Sequence, residues 1–261
     1  DATSYIDTKN WFRMMSGAIE NSTIHIACGL VGGTTQQDYS MFLGNAKMTM
    51  NLLECADEFQ ATGHTINYSS SCIYPQHLDV FSEEVLDNNK QGYAFGKLLG
   101  GKMCEYLNAK RGFKQFTTVV PPNLWGDNDN WDLQTCHVLP ALTQRLIKAK
   151  REGADTLEIQ GSPLTRREFI CTDDLVVGAL LARDSTPTTV NVGSGTDISI
   201  GDCVAGLAER IDYTGEIVYT GANTGTSAKL MQTTLIDFTP AHTYEHMLDY
   251  MVSQGATHGI S

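Results

Sequence analysis

Strand-like and helix-like stretches alternate along this chain, and the strand candidates run out into glycine, serine or asparagine. The stretch "STIHIACG" (22–29) alternates apolar and polar residues before ending in small ones, and "HTINYSSS" (64–71) does the same. Between them, "NAKMTMNLLECADEF" (45–59) has helical spacing, with Leu52, Leu53 and Ala56 on one face. "YAFGKLLGGKMCEYLNAKRG" (93–112) reads as a helix closed by Gly112, "FTTVVPPNLWG" (116–126) as strand then loop, and "HVLPALTQRLIKAKREG" (137–153) as a helix carrying basic residues. "TDDLVVGALLARD" (172–184) is a helix with acidic residues in its first turn, where they favour the dipole, and "TTVNVGSG" (188–195) is a strand ending in glycines. Alternation of this kind predicts a doubly wound α/β fold. Ligands in such folds bind beyond the carboxyl ends of the strands. The small polar clusters at 28–33, 69–72, 121–126 and 193–195 all fall at such ends.

Length and charge narrow the function. A chain of 261 residues can bury one large core, or a principal core with a smaller lobe. A formal charge of −12 argues against general nucleic-acid or anionic-membrane binding, while leaving room for a local basic pocket. No apolar run approaches the roughly 18–20 residues that span a bilayer. The seven cysteines are odd in number and scattered, which suits reduced thiols and a cytoplasmic setting better than a disulfide framework. The sequence starts at Asp1 with nothing resembling a signal peptide. No metal site is expected, and Cys136 and Cys171 read as packing residues.

Tyr93 and Lys97 are four apart on a predicted helix and therefore share a face. A nearby ammonium favours the phenolate, so the pair could exchange a proton with a carbonyl or alcohol oxygen. Ser70, at the preceding strand end, could hold the same oxygen. Cys72 lies two residues on, so in an extended segment both would point to one side. A lone Y-x-x-x-K is a weak signal, and a cysteine after a strand is commonly a small buried hydrophobe. Together with "SSSC" some twenty residues earlier, the signal becomes strong.

With these stretches the chain resembles the extended short-chain dehydrogenase/reductase family. "IHIACGLVGG" (24–33), "NAKMTMNLLECA" (45–56), "SSCIYP" (70–75), "YAFGK" (93–97), "PPNLWGDNDN" (121–130), "RREF" (166–169), "DDL" (173–175) and "NVGSG" (191–195) carry the resemblance. "SSCIYP" followed by "HVLPAL" (137–142) is narrower and resembles the GDP-L-fucose synthase branch. The resemblance implies a Rossmann-type fold, NADP(H), and epimerisation then reduction of GDP-4-keto-6-deoxy-mannose. It implies that Ser70, Tyr93 and Lys97 form a reductase triad, with Tyr93 giving a proton to the C4 oxygen and Lys97 lowering the phenol pKa. Cys72 and His137 match the epimerase pair. Protons beside a ketone are acidic, and inversion needs a base on one face and an acid on the other; thiolate and imidazolium suit those roles. The alternative for His137 is a helix cap.

For binding, the resemblance places Cys28, Gly29, Tyr93, Lys97, Asn123 and His137 near the cofactor. It places Ser71, Asn123, Arg145, Arg167 and Lys229 on the nucleotide sugar. Arg145, Lys148, Lys150, Arg151, Arg166 and Arg167 cluster within 145–167, which favours a local anion site in an acidic chain. Lys148, Lys150 and Arg151 read instead as a solvated helix face. Gln160 and Ala228 stand where the family usually has tryptophan and arginine, which touches the fit to the guanine diphosphate. Family members are commonly homodimers packed through the tyrosine-bearing helix.

The family's G-x-x-G-x-x-G loop for the cofactor pyrophosphate has no counterpart in this sequence. "GLVGG" (29–33) resembles a later cofactor-contacting turn. The expectation is that a strand–loop–helix–strand unit lies outside the sequence, or that another segment or partner chain supplies the strands. A degenerate relative serving as a scaffold in a larger assembly is the third reading. The expected division is a cofactor-binding domain at 1–131 and 168–194, and an α+β substrate lobe at 132–167 and 195–261. Another nucleotide-sugar epimerase, reductase or dehydratase of the same family is the alternative enzyme reading.

Overall fold

The computed structural model describes residues 1–19, 21–30, 38–59, 63–75, 77–83, 92–221 and 230–258. It is α/β, and falls into two compact units. The first comprises Asp1–Pro121, Val176–Val192 and Met231–Phe238; the second comprises Pro122–Leu175, Gly193–Leu230 and Thr239–Ser261. None of the described helices is long and apolar enough to cross a membrane.

The first unit is built on a four-stranded parallel sheet of β1 (Ile24–Ile26), β2 (Thr65–Tyr68), β4 (Phe116–Val120) and β8 (Thr189–Asn191), in that order. Ile66 and Val119 on the two inner strands are wholly buried, and so is Val190 on the edge strand β8. Helices α1 (Tyr5–Ile19), α2 (Asp38–Glu58) and α3 (Gly92–Arg111) supply one layer of core, in which Phe12, Leu53, Cys104 and Leu107 pack with Phe116. Truncating a wholly buried leucine such as Leu53 to alanine costs about 2–5 kcal/mol. A second, smaller cluster joins Ile73, Tyr74 and Val120 to Phe81 of β3 (Val80–Phe81) and to Met231.

The α2–α3 packing is close because of two glycines. A Cβ on Gly96 would sit 3.0 Å from the Asn45 side chain, and one on Gly100 would sit 2.6 Å from Thr49. Asn45 and Thr49, like Gly96 and Gly100, are four apart, so one helical face meets another along its length. At its far end α3 stops where Gly112 takes a left-handed φ of 77° and its N–H returns to the Asn108 carbonyl. The Asn108 side chain then accepts the Gln115 and Phe116 N–H groups, which fixes the entry into β4.

The second unit contains β5 (Asn123–Trp125) parallel to β7 (Arg166–Cys171), and β9 (Asp197–Ser199) antiparallel to β7. A separate parallel pair joins β6 (Thr156–Ile159) to β10 (Glu216–Tyr219). Helices α4 (Val138–Glu152), α6 (Ile200–Ile211) and α7 (Tyr244–His258) enclose its core. On α4 the buried residues Leu139, Leu142, Leu146 and Ala149 recur at helical spacing. Helix α5 (Thr172–Asp184) follows β7 without a loop, and the division between the units falls within it.

Candidate active site

In the first unit, β2 delivers "SSSCIYP" to the carboxyl end of the sheet. The strand's pairing with the β4 segment continues past Tyr68, with Ser69 N–H on the Val119 carbonyl and Ser71 N–H on that of Pro121. The chain then winds into one 3₁₀ turn at Ser71–Ile73. Ser70 caps that turn: its backbone is extended at φ −159° and ψ 147°, and its Oγ accepts the Cys72 N–H at 3.3 Å. The extended geometry expected for residues 70–72 is therefore corrected, because the cap closes the backbone into a turn. Tyr74 anchors the far side, wholly buried, stacked on Phe81 and donating its hydroxyl to Asn191 Oδ1 at 2.6 Å.

The turn meets α3 at Tyr93. Ser70 hydrogen-bonds the Tyr93 phenol, and Cys72 lies close enough for a thiolate there to oppose phenolate formation. Burial is the largest effect on Tyr93 and pushes its pKa above the ordinary phenol value; the Cys72 charge adds to it and the Ser70 hydrogen bond works against it.

Lys97, one turn along α3, is 6% exposed. Its ammonium donates to the Cys28 carbonyl at 2.9 Å and the Tyr68 carbonyl at 3.1 Å, bridging the ends of β1 and β2. Burial lowers its pKa, and the Cys28 thiol beside it works in the other direction. The sequence led to the expectation that Lys97 lowers the Tyr93 pKa. In the structure the ammonium is turned to these two carbonyls. Gly29 is needed where the loop passes over the lysine, since a Cβ there would lie 3.1 Å from Nζ and 3.2 Å from Asn45 Oδ1. Asn45 holds the same loop by accepting the Leu30 N–H and donating to the Leu30 carbonyl. Cys28 itself is half-buried, with its thiol pushed up by desolvation.

The second unit carries the remaining candidates. His137 occupies the N-cap position of α4 at φ −76° and ψ 175°, but its ring makes no capping hydrogen bond and is exposed. The capping alternative for its side chain is thus not what the structure has. Burial raises the Asp129 carboxyl pKa, while the Asn130 N–H and His137 lower it. Asn123 donates its side-chain amide to the Glu168 carbonyl at 2.9 Å.

Among the clustered cations, Arg166 grips Asp197 through two nitrogens, at 3.0 and 2.8 Å. Lys150 donates to the Ile211 carbonyl at 2.7 Å, and Lys148 lies 3.9 Å from Glu152. Arg145 is exposed on α4 and forms no salt bridge among the described residues, and Arg167 donates to the Arg166 carbonyl at 2.7 Å. Gln160 is exposed at the end of β6. Lys229, Ala228 and residues 31–33 of "GLVGG" lie outside the described residues.

Asn45, Tyr74 and Asp129 were not singled out from the sequence. Only Tyr74 had a signal, as the aromatic directly after "SSSCI"; Asn45 and Asp129 act on residues 15 and 8 positions away.

The first unit thus presents a phenol, a hydroxyl and a thiol together, with a buried ammonium one turn away. Such a set can protonate an oxygen and abstract a proton from an adjacent carbon. Residues 7–193 match the NAD dependent epimerase/dehydratase family. A GDP-L-colitose synthase of Yersinia pseudotuberculosis is 31% identical over 229 residues, covering 83% of this chain and 74% of that protein. A GDP-L-fucose synthase of Azorhizobium caulinodans is 33% identical over 222 residues, covering 80% and 70% respectively. A solved GDP-D-glycero-L-gluco-heptose synthase from Campylobacter jejuni shares the fold, with a TM-score of 0.81 over 98% of this chain and 88% of that one, at 22% identity.

Proposed function

The chain belongs to the NAD dependent epimerase/dehydratase family, and from that premise we propose that it is an NADPH-dependent nucleotide-sugar epimerase/reductase that converts GDP-4-keto-6-deoxy-mannose to GDP-L-fucose. The observation that carries this reading is Ser70 and Cys72, from one capped turn, both acting on the Tyr93 phenol. A reductase needs the first and third of these groups alone. The thiol beside them is what an additional inversion at carbon requires.

The chain's own groups fit a dinucleotide at its ribose end. Lys97 has three N–H donors, of which two are used by carbonyls, so one remains for a ribose hydroxyl. Gly29 keeps the approach over that ammonium open. When bound, NADPH supplies a hydride to C4. The solved heptose synthase was crystallised in the presence of NADPH, which supports that choice of nucleotide.

Cys72, as thiolate, takes the proton at C3 or C5, and the electron pair of that C–H bond moves onto the C4 oxygen as an enolate. His137 is assigned as the acid that returns a proton to carbon, and the ketone re-forms inverted. In the reduction, Tyr93 passes its proton to the C4 oxygen as C4 becomes tetrahedral, and Ser70 holds that oxygen. A phenol with a raised pKa stays protonated at neutral pH, which is the state a proton donor needs. Arg145 and Arg167 are assigned to the diphosphate, and Asn123 and Ser71 to the sugar. Cys28 and Gly29 are assigned to the cofactor side, as the first unit is the cofactor-binding part and the second the substrate lobe.

Incubation with GDP-4-keto-6-deoxy-mannose and NADPH, followed by product analysis, tests the reading. Formation of GDP-L-fucose is expected. Absence of NADPH oxidation with any GDP-4-keto sugar would overturn it. A second reading, formation of GDP-L-colitose, is favoured by the comparable identity to the Yersinia relative; that product needs a substrate already lacking the 3-hydroxyl, so offering GDP-4-keto-3,6-dideoxy-mannose with NADPH separates the two.

A further inference from the structure

We propose that the second unit carries a zinc-class divalent metal site formed by Cys171, Asp173 and His242. One ligand atom from each of the three, a thiol sulfur, a carboxylate oxygen and a ring nitrogen, lies within 4.8 Å of the other two. Cys171 ends β7, Asp173 stands in the first turn of α5, and His242 precedes α7, so residues some seventy positions apart are brought to one point. None of them is a group to which the proposed chemistry assigns a role. The three line a cavity of about 420 Å³, whose wall also includes Asp127, His246 and Asp249, the last ion-paired with Arg210. A thiol, carboxylates and imidazoles on one wall are donors of the kinds that hold a metal ion.

The surroundings of each donor favour coordination. Cys171 is 5% exposed at the end of β7, directly before the first turn of α5. Asp174, 4% exposed, accepts the N–H groups of Ala241 and His242 at 3.0 and 2.9 Å, fixing the segment that bears the imidazole. His242 Nδ1 lies 3.1 Å from the same carboxylate, near enough for an ion pair but not aligned for a hydrogen bond. A carboxylate beside a ring nitrogen is the kind of pairing that orients metal-bound imidazoles. Trp125 packs edge-on against the ring at 5.8 Å and limits its other motions.

Sulfur and nitrogen donors select zinc and its neighbours over magnesium or calcium. Donor atoms around tetrahedral zinc are about 3.3–3.8 Å apart, from bond lengths near 2.0–2.3 Å. Closing to that spacing takes a side-chain shift of about 1 Å, and the exposed Asp173 carboxylate is free to make it. Three protein ligands leave the fourth position to water. A metal here ties the segment before α7 to the β7–α5 junction, within the second unit.

Titrating the reduced, untagged full chain with Co²⁺ alone tests this. Expected are one equivalent bound, a thiolate-to-cobalt charge-transfer band and the intense visible bands of tetrahedral Co²⁺. Cys171→Ala should abolish the charge-transfer band, His242→Ala should weaken binding at least about tenfold, and Cys72→Ala should leave both unchanged. A missing charge-transfer band at saturating Co²⁺ would overturn the proposal, as would a band that survives Cys171→Ala. Should Cys171→Ala fail to fold, the half-exposed His242 decides: unchanged Co²⁺ affinity in His242→Ala overturns the site, and the stated loss supports it.

Discussion

Ser70 caps the turn that bears Cys72 through its hydroxyl, and the same hydroxyl works against the raised pKa of the Tyr93 phenol, so one side chain bears on both the thiol and the phenol. Ser70→Ala removes the cap and the phenol's partner together. Reduction is expected to fall about 10²–10³-fold, the loss typical of removing one donor at a developing oxyanion. Tyr93→Phe should cost about 10²–10⁴-fold through loss of the proton donor. Single-turnover NADPH oxidation in each variant measures both.

Lys97 is a structural bridge as well as a proposed cofactor contact. Lys97→Met leaves the Cys28 and Tyr68 carbonyls without their donor, which should cost about 1–3 kcal/mol of stability. NADPH affinity should fall as well. Urea unfolding and nucleotide titration report the two losses separately, and a variant of unchanged stability would show that the bridge is dispensable.

Tyr74 tethers the catalytic turn from below. Tyr74→Phe keeps the ring on Phe81 but leaves buried Asn191 Oδ1 without its hydroxyl donor. A destabilisation of about 1–3 kcal/mol is expected in urea unfolding, with a smaller effect on NADPH affinity than Lys97→Met.

His64 makes the fold sensitive to acid. Its Nε2 sits 2.8 Å from Thr117 Oγ1, and desolvation, aided by Lys114 and Arg183, lowers its pKa to about 4. An unfolded imidazole titrates near 6.5. Between these values the unfolded chain binds a proton that the folded chain resists, so the His64 contribution is intact above about pH 6.5 and is lost as the pH falls towards 4. The drop in urea midpoint from about pH 7 to about pH 5 should be smaller in His64→Gln than in the parent.

The alternation of elements was legible in the first unit because β2, β4 and β8 carried β-branched residues between stretches of helical spacing; α5 fell at 172–184 and α3 ended at Gly112 as read, whereas β5, Asn-Leu-Trp, has no such residue and lies in a stretch read as loop. The 3₁₀ turn at Ser71–Ile73 was not, because a serine can end a strand or cap a turn with equal ease. The fate of Lys97 was also hidden. Helical spacing puts it beside Tyr93, but only the fold brings the Cys28 and Tyr68 carbonyls within reach of the ammonium. Cys171 read as packing and is buried in the core of the second unit; that Asp173 and His242 also come to it was hidden, since nothing near it in sequence points to His242.

The proposed division of labour is tested most directly in D₂O with GDP-4-keto-6-deoxy-mannose, following deuterium at C3 and C5 alongside NADPH oxidation. Cys72→Ser should lose deuterium incorporation by about 10²-fold or more while still oxidising NADPH; Tyr93→Phe should keep incorporation and stop oxidation. Incorporation that persists in Cys72→Ser but vanishes in Tyr93→Phe would contradict the assignment of base and donor.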